Sequence, residues 1–142
     1  MILQFTVPGL AKGKESVRTG MYGNSYIPRL TREYMKRVKD AYASAYYFEG
    51  AVFMEVYVFY PIPKSYTKKQ RQEIADNGYL YLHKPDGDNI LKAVKDSLNK
   101  IAYQDDCQVV YEMCFRRYAK EGEEPRTEIV MYDRQGGRMD AH

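Results

Sequence analysis

Four stretches of this chain have the spacing of apolar and polar residues that is typical of β-strands. Residues 2–7 and 51–60 are rich in β-branched and aromatic side chains. The second of these is apolar on both faces except at Glu55, as expected for a central strand. Residues 108–118 and 127–132 predict two further strands joined by the polar turn KEGEEP, most simply as a hairpin.

Three other stretches have helical spacing. Apolar residues recur at three- and four-residue steps over 31–48, which Gly50 ends, and a short helix follows Thr67 as its N-cap. A third helix runs from Asp88 to about Lys100. We expect its core-facing stripe to consist of Leu91, Val94, Leu98 and Ile101.

The order of these elements predicts the fold class. It is strand, helix, strand, helices, strand, strand, which indicates an α+β fold with helices packed on one face of a small mixed sheet. A length of 142 residues suits one domain spanning 1–142. Residues 134–142 are expected to form a frayed tail.

Composition and hydropathy narrow the class of protein further. Apolar residues make up 44% of the chain and charged residues 29%, as in a folded protein rather than a disordered one. No run of about 18 apolar residues occurs, and the N-terminus lacks a basic leader with an apolar stretch. We therefore expect a cytoplasmic protein without a membrane partner.

Basic residues are concentrated between positions 12 and 39, although the net charge is only +3. This segment has eight basic side chains and two acidic ones, Glu15 and Glu33. It includes a Gly-rich loop over 8–23 that could serve as a binding arm for a polyanion such as DNA. A solvated basic face is the alternative. The basic residues are Lys12, Lys14, Arg18, Arg29, Arg32, Lys36, Arg37 and Lys39.

Cysteine and histidine are too few for most metal or nucleophile chemistry. Cys107 and Cys114 are expected to fill the core, and His83 and His142 are the only histidines. This leaves no zinc constellation and no Ser-His-Asp triad with an obvious layout. Any metal ion would have to be a hard cation held by carboxylates.

Two acidic motifs could provide those carboxylates. Asp86 and Asp88 flank Gly87 just before the third helix, and Asp105 and Asp106 precede the next strand, after a helix long enough to return the chain. Three carboxylates within reach of one point make a Mg²⁺ site. The alternative is that these acids only cap helices and form turns, with Lys92 as an i,i+4 ion-pair partner.

A family resemblance favours the catalytic interpretation. The string KPDGDNILKAVKDSLNKIAYQDDCQVV over 84–110 resembles the signature of the RusA family of Holliday junction resolvases, in which D-x-D-N-x-x-K opens a helix and D-D-x-Q-V follows. The N-terminal VPGLAKGKESVRT resembles, more loosely, the opening pattern of that family.

The resemblance implies a homodimer that cuts four-way DNA junctions at symmetrical positions during recombination and repair, leaving 5′-phosphates. It implies Mg²⁺ as cofactor, with Mn²⁺ as a substitute. Asp86, Asp88 and Asp106 correspond to the metal-binding acids and Lys92 to the motif lysine near the scissile phosphate, whereas Asp105 is the less favoured ligand. We expect further DNA contacts from Lys12, Lys14, Arg18 and Lys84.

Two other functions remain open at this point. One is a Mg²⁺ nuclease of the same fold that acts on flap or other branched DNA. The other is a non-catalytic protein that binds branched DNA. For the dimer interface, the aromatic cluster Tyr42, Tyr46, Tyr47 and Phe48 is one candidate, with core packing as the alternative.

Overall fold

The computed structural model describes residues 1–14, 18–19, 23 and 25–133, so the predicted tail at 134–142 lies outside the described residues. The strands are β1 (Ile2–Pro8), β2 (Arg18–Thr19), β3 (Ser25–Tyr26), β4 (Val52–Tyr60), β5 (Val109–Tyr118) and β6 (Arg126–Tyr132). The helices are α1 (Arg29–Ala41), α2 (Lys68–Asp76) and α3 (Gly87–Ser97), and a single 3₁₀ turn covers Asp106–Gln108.

The main sheet has four strands in the order β1-β6-β4-β5. β4 pairs in parallel with β5 and antiparallel with β6, which in turn pairs antiparallel with β1. This is the predicted small mixed sheet of an α+β protein. β4 is central, as its two apolar faces indicate, and Glu55 is its one buried acidic residue.

The predicted hairpin of the last two strands is wrong. β5 and β6 both exist, but β4 lies between them and pairs with each. β4 is apolar on both faces, and such a strand is less stable at a sheet edge than between two other strands. The turn between β5 and β6 therefore crosses over the end of β4 instead of reversing tightly.

Two helices cover one face of the sheet. α1 packs against β1 and α3, and α3 packs against β5. The core between them and the sheet contains Tyr34 and Val38 of α1 together with Ile90, Val94 and Leu98, all fully buried. α2 contributes no buried residue, and its capping box is formed by Thr67 with Gln70. The other face of the sheet carries no helix of the described chain.

α1 ends earlier than predicted, at Ala41 rather than near residue 48. Hydrogen bonds within the following residues and to the rest of the protein hold them in a non-helical path. The Tyr42 hydroxyl donates to the Tyr46 carbonyl at 2.6 Å, and the Phe48 amide donates to the Ala102 carbonyl at 2.7 Å. The Phe48 ring is buried in the core, so tertiary packing overrides the helical spacing of this segment.

α3 also differs from its predicted bounds. Asp86, rather than Asp88, is its N-cap, and it ends at Ser97 instead of about Lys100. Lys100 has a positive φ of 68° and its amide donates to the Tyr103 carbonyl, which turns the chain away from the helix axis. Ile101 is consequently exposed and is not part of the core stripe, whereas Leu91, Val94 and Leu98 are buried as predicted.

No helix in the described part of the chain is long and apolar enough to cross a membrane.

The cysteines differ from the prediction in one respect. Cys114 packs partly buried against the core, but Cys107 is exposed because it belongs to the 3₁₀ turn rather than to β5.

Candidate active site

The first acidic motif lies at the N-terminus of α3. The Asp86 side chain accepts a hydrogen bond from the Asn89 amide at 2.9 Å, which caps the helix. The loop before it is held by Arg116 of β5, whose guanidinium donates to the carbonyls of His83 at 2.6 Å and of Pro85 at 3.1 Å. The sheet therefore fixes where Asp86 stands.

One exposed stripe of α3 carries alternating charges. Asp88, Lys92 and Asp96 follow one another at four-residue steps, so they lie on the same side of the helix. Asp88 and Lys92 are exposed and Asp96 is half-buried. A rise of about 1.5 Å per residue separates the backbones of Asp88 and Asp96 by about 12 Å along the helix.

The second acidic motif meets this stripe at its C-terminal end. The carboxyl groups of Asp106 and Asp96 lie within hydrogen-bonding distance of each other. Burial, the contact with Asp96 and repulsion from Asp96 and Asp105 raise the pKa of Asp106. Nearby, Lys95 forms an ion pair with Glu112 of β5 at 2.9 Å. Negative charge is thus crowded around Asp106.

The two acids of the second motif have different surroundings. The Asp105 side chain accepts from the Cys107 amide at 3.0 Å and caps the 3₁₀ turn. Hydrogen bonds to Cys107 lower the pKa of Asp105. Asp105 therefore has a local structural role, while Asp106 is the member of the pair that reaches α3.

The start of the basic loop is fastened to α3. The Lys14 amide donates to the Asn89 carbonyl at 2.8 Å, and the Thr31 hydroxyl donates to the Gly13 carbonyl at 3.2 Å. A Cβ at Gly13 would come within 2.8 Å of side-chain atoms of both Asn89 and Pro85, so only glycine allows this approach. The loop and the acidic motif are in direct contact.

The predicted DNA-contacting lysines occupy different environments. The ammonium group of Lys14 forms an ion pair with Asp96, and its side chain is only one-quarter exposed. Lys84 is exposed next to the acidic loop, and Lys12 is half-buried. The strand β2 includes Arg18, but its side chain lies outside what the structure describes. Lys14 is therefore engaged with the acids, which sets it apart from Lys12 and Lys84.

The predicted convergence of three carboxylates is not formed in the part of the chain that the structure describes. No three Asp, Glu, His or Cys side chains there lie close enough to hold one ion. Asp86 and Asp88 lie near Cys114, whose pKa burial chiefly raises to about 12, with the charges of both acids adding to the effect. Joint coordination by these acids and Asp106 stays a prediction.

Sequence reasoning missed two residues of this site. Asp96 is one of them, and it lies one turn beyond Lys92 on the stripe that begins at Asp88. Extending the four-residue step by one turn would have found it. Arg116 gave no usable signal, because the pairing of β5 with its neighbours decides which loop its side chain reaches.

Comparison with known proteins gives independent evidence on the family of this chain. A family model described as Endodeoxyribonuclease RusA matches residues 7–132. A relative from Bacillus subtilis (strain 168), described as "Uncharacterized protein YqaN", is 35% identical over 137 residues, which cover 91% of this chain and 94% of the relative. The matched region includes the basic loop, α3 and both acidic motifs.

Proposed function

The chain belongs to the RusA family of endodeoxyribonucleases, and on that premise we propose that it is a Holliday junction resolvase. It would hydrolyse one phosphodiester in each of two symmetry-related strands of a four-way junction, leaving 5′-phosphates, in recombination and repair. The observation that carries this proposal is the direct contact between a basic loop and the acidic N-terminus of α3. Cleavage of DNA by carboxylate-bound metal requires a phosphate-binding surface next to the carboxylates, and this contact provides one.

The donor set fits a hard divalent cation. Asp86, Asp88 and Asp106 supply carboxylate oxygens, which Mg²⁺ and Mn²⁺ prefer. Burial first, and then the contact with Asp96 and repulsion from Asp96 and Asp105, raise the pKa of Asp106, and such a cation would relieve that repulsion. When bound, the cation acidifies a water molecule and neutralises charge on the phosphoryl oxygens. We assign these three aspartates as its ligands.

Other residues of the site would position the DNA. Lys92 is exposed one turn after Asp88 on the same stripe, where its ammonium group can bind the scissile phosphate. Lys84 precedes the acidic loop and Lys12 the fastened part of the basic loop, so each can bind a flanking phosphate. Lys14 instead holds Asp96 in place through its ion pair.

The proposed active species is a homodimer, since resolving a two-fold symmetric junction requires two related cuts. The sheet face without helices supplies a suitable surface. Phe115 and Tyr111 of β5 are about 40% exposed there, beside the half-buried rings of Phe53 and Tyr57. By contrast, Tyr42 and Phe48 are buried in the core, so the aromatic cluster after α1 is a poor interface.

The test is cleavage of a synthetic four-way junction with Mg²⁺, with Mn²⁺ and with EDTA, beside duplex and flap controls. We expect paired cuts only with a divalent cation. Asp86→Asn, Asp88→Asn and Asp106→Asn should each lower the rate more than a hundredfold while junction binding persists. Asp105→Asn is the matched control and should retain most activity, because asparagine also caps.

A non-catalytic branched-DNA-binding protein is the second candidate. It is favoured by the capping role of Asp86 and by the missing three-acid cluster among the described residues. This candidate predicts junction binding without cleavage under any metal condition. Preferred cleavage of flap substrates would instead identify a nuclease for other branched DNA.

A further inference from the structure

A cavity of about 380 Å³ adjoins the acidic loop. Its volume lies within the range of about 300–1,000 Å³ that is usual for ligand sites. Tyrosine rings provide much of its wall, and Lys12 and Lys84 add two positive charges. The tyrosines are Tyr60, Tyr66, Tyr81 and Tyr118. Aromatic walls combined with ammonium groups suit a ligand that has both a flat ring and a negative charge.

The aromatic wall is held rigidly. Tyr60 and Tyr81 stack with ring centroids 4.1 Å apart, and Tyr118 meets Tyr81 edge-on at 5.1 Å. The Tyr60 hydroxyl donates to the Ala11 carbonyl at 3.1 Å, and the Tyr81 hydroxyl donates to the Lys84 carbonyl at 3.2 Å. Because both hydroxyl groups are hydrogen-bonded to the backbone of the basic loop and of the acidic loop, the rings are fixed before any ligand binds.

The cavity shares its walls with the candidate active site. On one side it is lined by Pro85, the residue before the helix cap Asp86. On the other side it is lined by Lys12, the residue before Gly13, which contacts α3 directly. A strand whose phosphate lies at the acidic loop would therefore place its neighbouring nucleotide at the mouth of the cavity.

We propose that this cavity takes one unpaired nucleobase of the DNA strand that is being cut, with Lys12 and Lys84 binding the adjoining phosphates. The inference rests on the proposed function and deepens it. Duplex DNA keeps its bases stacked and paired, whereas the exchange point of a junction offers a base at a lower unstacking cost. Capture of that base would place the scissile phosphate and would discriminate branched DNA from duplex.

Tyr66 is the residue of choice for a test. It lines the cavity and is half-buried, and it lies before α2 rather than in the stacked pair. Tyr66→Leu removes the ring at similar size, and Tyr66→Phe keeps the ring as the matched control. Retained melting temperature in both variants separates base binding from a structural role.

The measurement is equilibrium binding of four-way junctions in EDTA by chains that also carry Asp88→Asn, so that it does not depend on cleavage. Each junction carries one abasic nucleotide at a different position near the exchange point. We expect one position at which base removal weakens binding at least fivefold, as expected for loss of one stacked base. Tyr66→Leu should weaken binding of the intact junction by a similar factor and have no further effect on that abasic junction, whereas Tyr66→Phe should match the parent chain.

Two results would overturn the base site. One is a Tyr66→Leu defect of equal size on the intact junction and on every abasic junction. The other is the absence of any position at which base removal weakens binding by the parent chain. If the effects of Tyr66→Leu and of one abasic position do not add, but the wild-type chain does not cleave, the base site is supported and the proposed catalysis is wrong. If the wild-type chain cleaves but the two effects add, the proposed catalysis is supported and the base site is wrong.

Discussion

Lys14 lies between the basic loop and the charged stripe of α3. Its amide bonds to Asn89 and its ammonium group pairs with Asp96, which in turn contacts Asp106. A lysine that already forms an ion pair with a carboxylate is less available to bind a phosphate. Its contribution to DNA cleavage should therefore come through the position of Asp96 and of Asp106 beside it.

This distinction gives a prediction about salt dependence. Lys84→Ala should lower the slope of log affinity against log salt by about one unit, the value of one lost phosphate contact. Lys14→Ala should change that slope by less than half as much, yet lower the cleavage rate at least tenfold. Junction binding between 50 and 300 mM salt and single-turnover cleavage would measure both. Equal slopes for the two variants would show that Lys14 binds phosphate after all.

At the level of single residues, the sequence predicts those roles that depend on near neighbours. The shared stripe of Asp88 and Lys92 follows from helical spacing alone, whereas the N-cap of α3 is Asp86 and not Asp88 as the sequence indicated. The contact of Asp96 with Asp106 depends on how a helix, a 3₁₀ turn and an edge strand come together. Such contacts are set by tertiary packing, which leaves no periodic pattern.

Among the elements, the junction of the basic loop with α3 depends on one glycine. In Gly13→Ala the new Cβ would meet Asn89 and Pro85 at 2.8 Å. The loop should yield rather than the core-packed helix, so we expect a loss of about 1 kcal/mol in the free energy of unfolding and about a tenfold loss of cleavage. Gly50→Ala is the control, since no atom lies within 4 Å of its added Cβ. Full activity of Gly13→Ala would mean that this contact does not matter.

The crossover from β5 to β6 is held by Glu123. Arg117 donates to its two carboxylate oxygens at 2.8 and 3.0 Å, and the Lys120 amide donates at 2.7 Å. These contacts lower the pKa of Glu123 to about 2, and the hydrogen bonds from Arg117 make the largest contribution. Because the pKa of this carboxyl is lower in the folded than in the unfolded protein, its ionised form stabilises the fold. The stabilisation is complete at a pH above the pKa of the unfolded chain, near 4.5, and is lost as the pH falls through about 2.

Glu123→Gln should accordingly destabilise the protein at neutral pH by about 1 kcal/mol, as expected for a partly exposed ion pair. The difference from wild type should shrink between pH 4.5 and 2. Urea unfolding at pH 7, 4, 3 and 2 would measure it, with Glu121→Gln in the same turn as the control. A difference that stays constant over this range would assign the effect to packing instead of charge.

Elements were predictable where local spacing and burial agree. β4 and the N-cap at Thr67 follow from the sequence because each depends on residues within a few positions. The pairing of β5 and β6 does not, since the choice between a hairpin and a place on either side of β4 is made by the whole sheet. The early end of α1 has the same origin, because Phe48 is buried in the core and its amide donates to the Ala102 carbonyl.

For the whole molecule, the two helices packed on the sheet in the described part of the chain lie on one face, and the proposed dimer would use the aromatic face opposite to them. A C₂ dimer through that face would place two acidic sites in a symmetry-related pair, which matches the symmetry of a four-way junction. Phe115→Lys puts a charge into this face and should give a folded monomer by sedimentation at working concentration. A dimer that survives this change would place the interface elsewhere.

The last prediction concerns mixtures of wild-type and Asp88→Asn chains. If each site cuts one strand and the dimer only sets the geometry, a mixed dimer should bind a junction normally and cut it once. Nicked, unresolved junctions should then accumulate in proportion to the mixed dimers, about half of the dimers in an equal mixture if chains pair at random. Denaturing and native gels of one labelled junction, under single-turnover conditions, would separate nicked from resolved product. Adding Phe115→Lys to the Asp88→Asn chain should abolish the nicked product, because that chain no longer pairs with wild type. Fully resolved duplexes from mixed dimers in one binding event would contradict two independent sites, since one active chain would then have cut both strands.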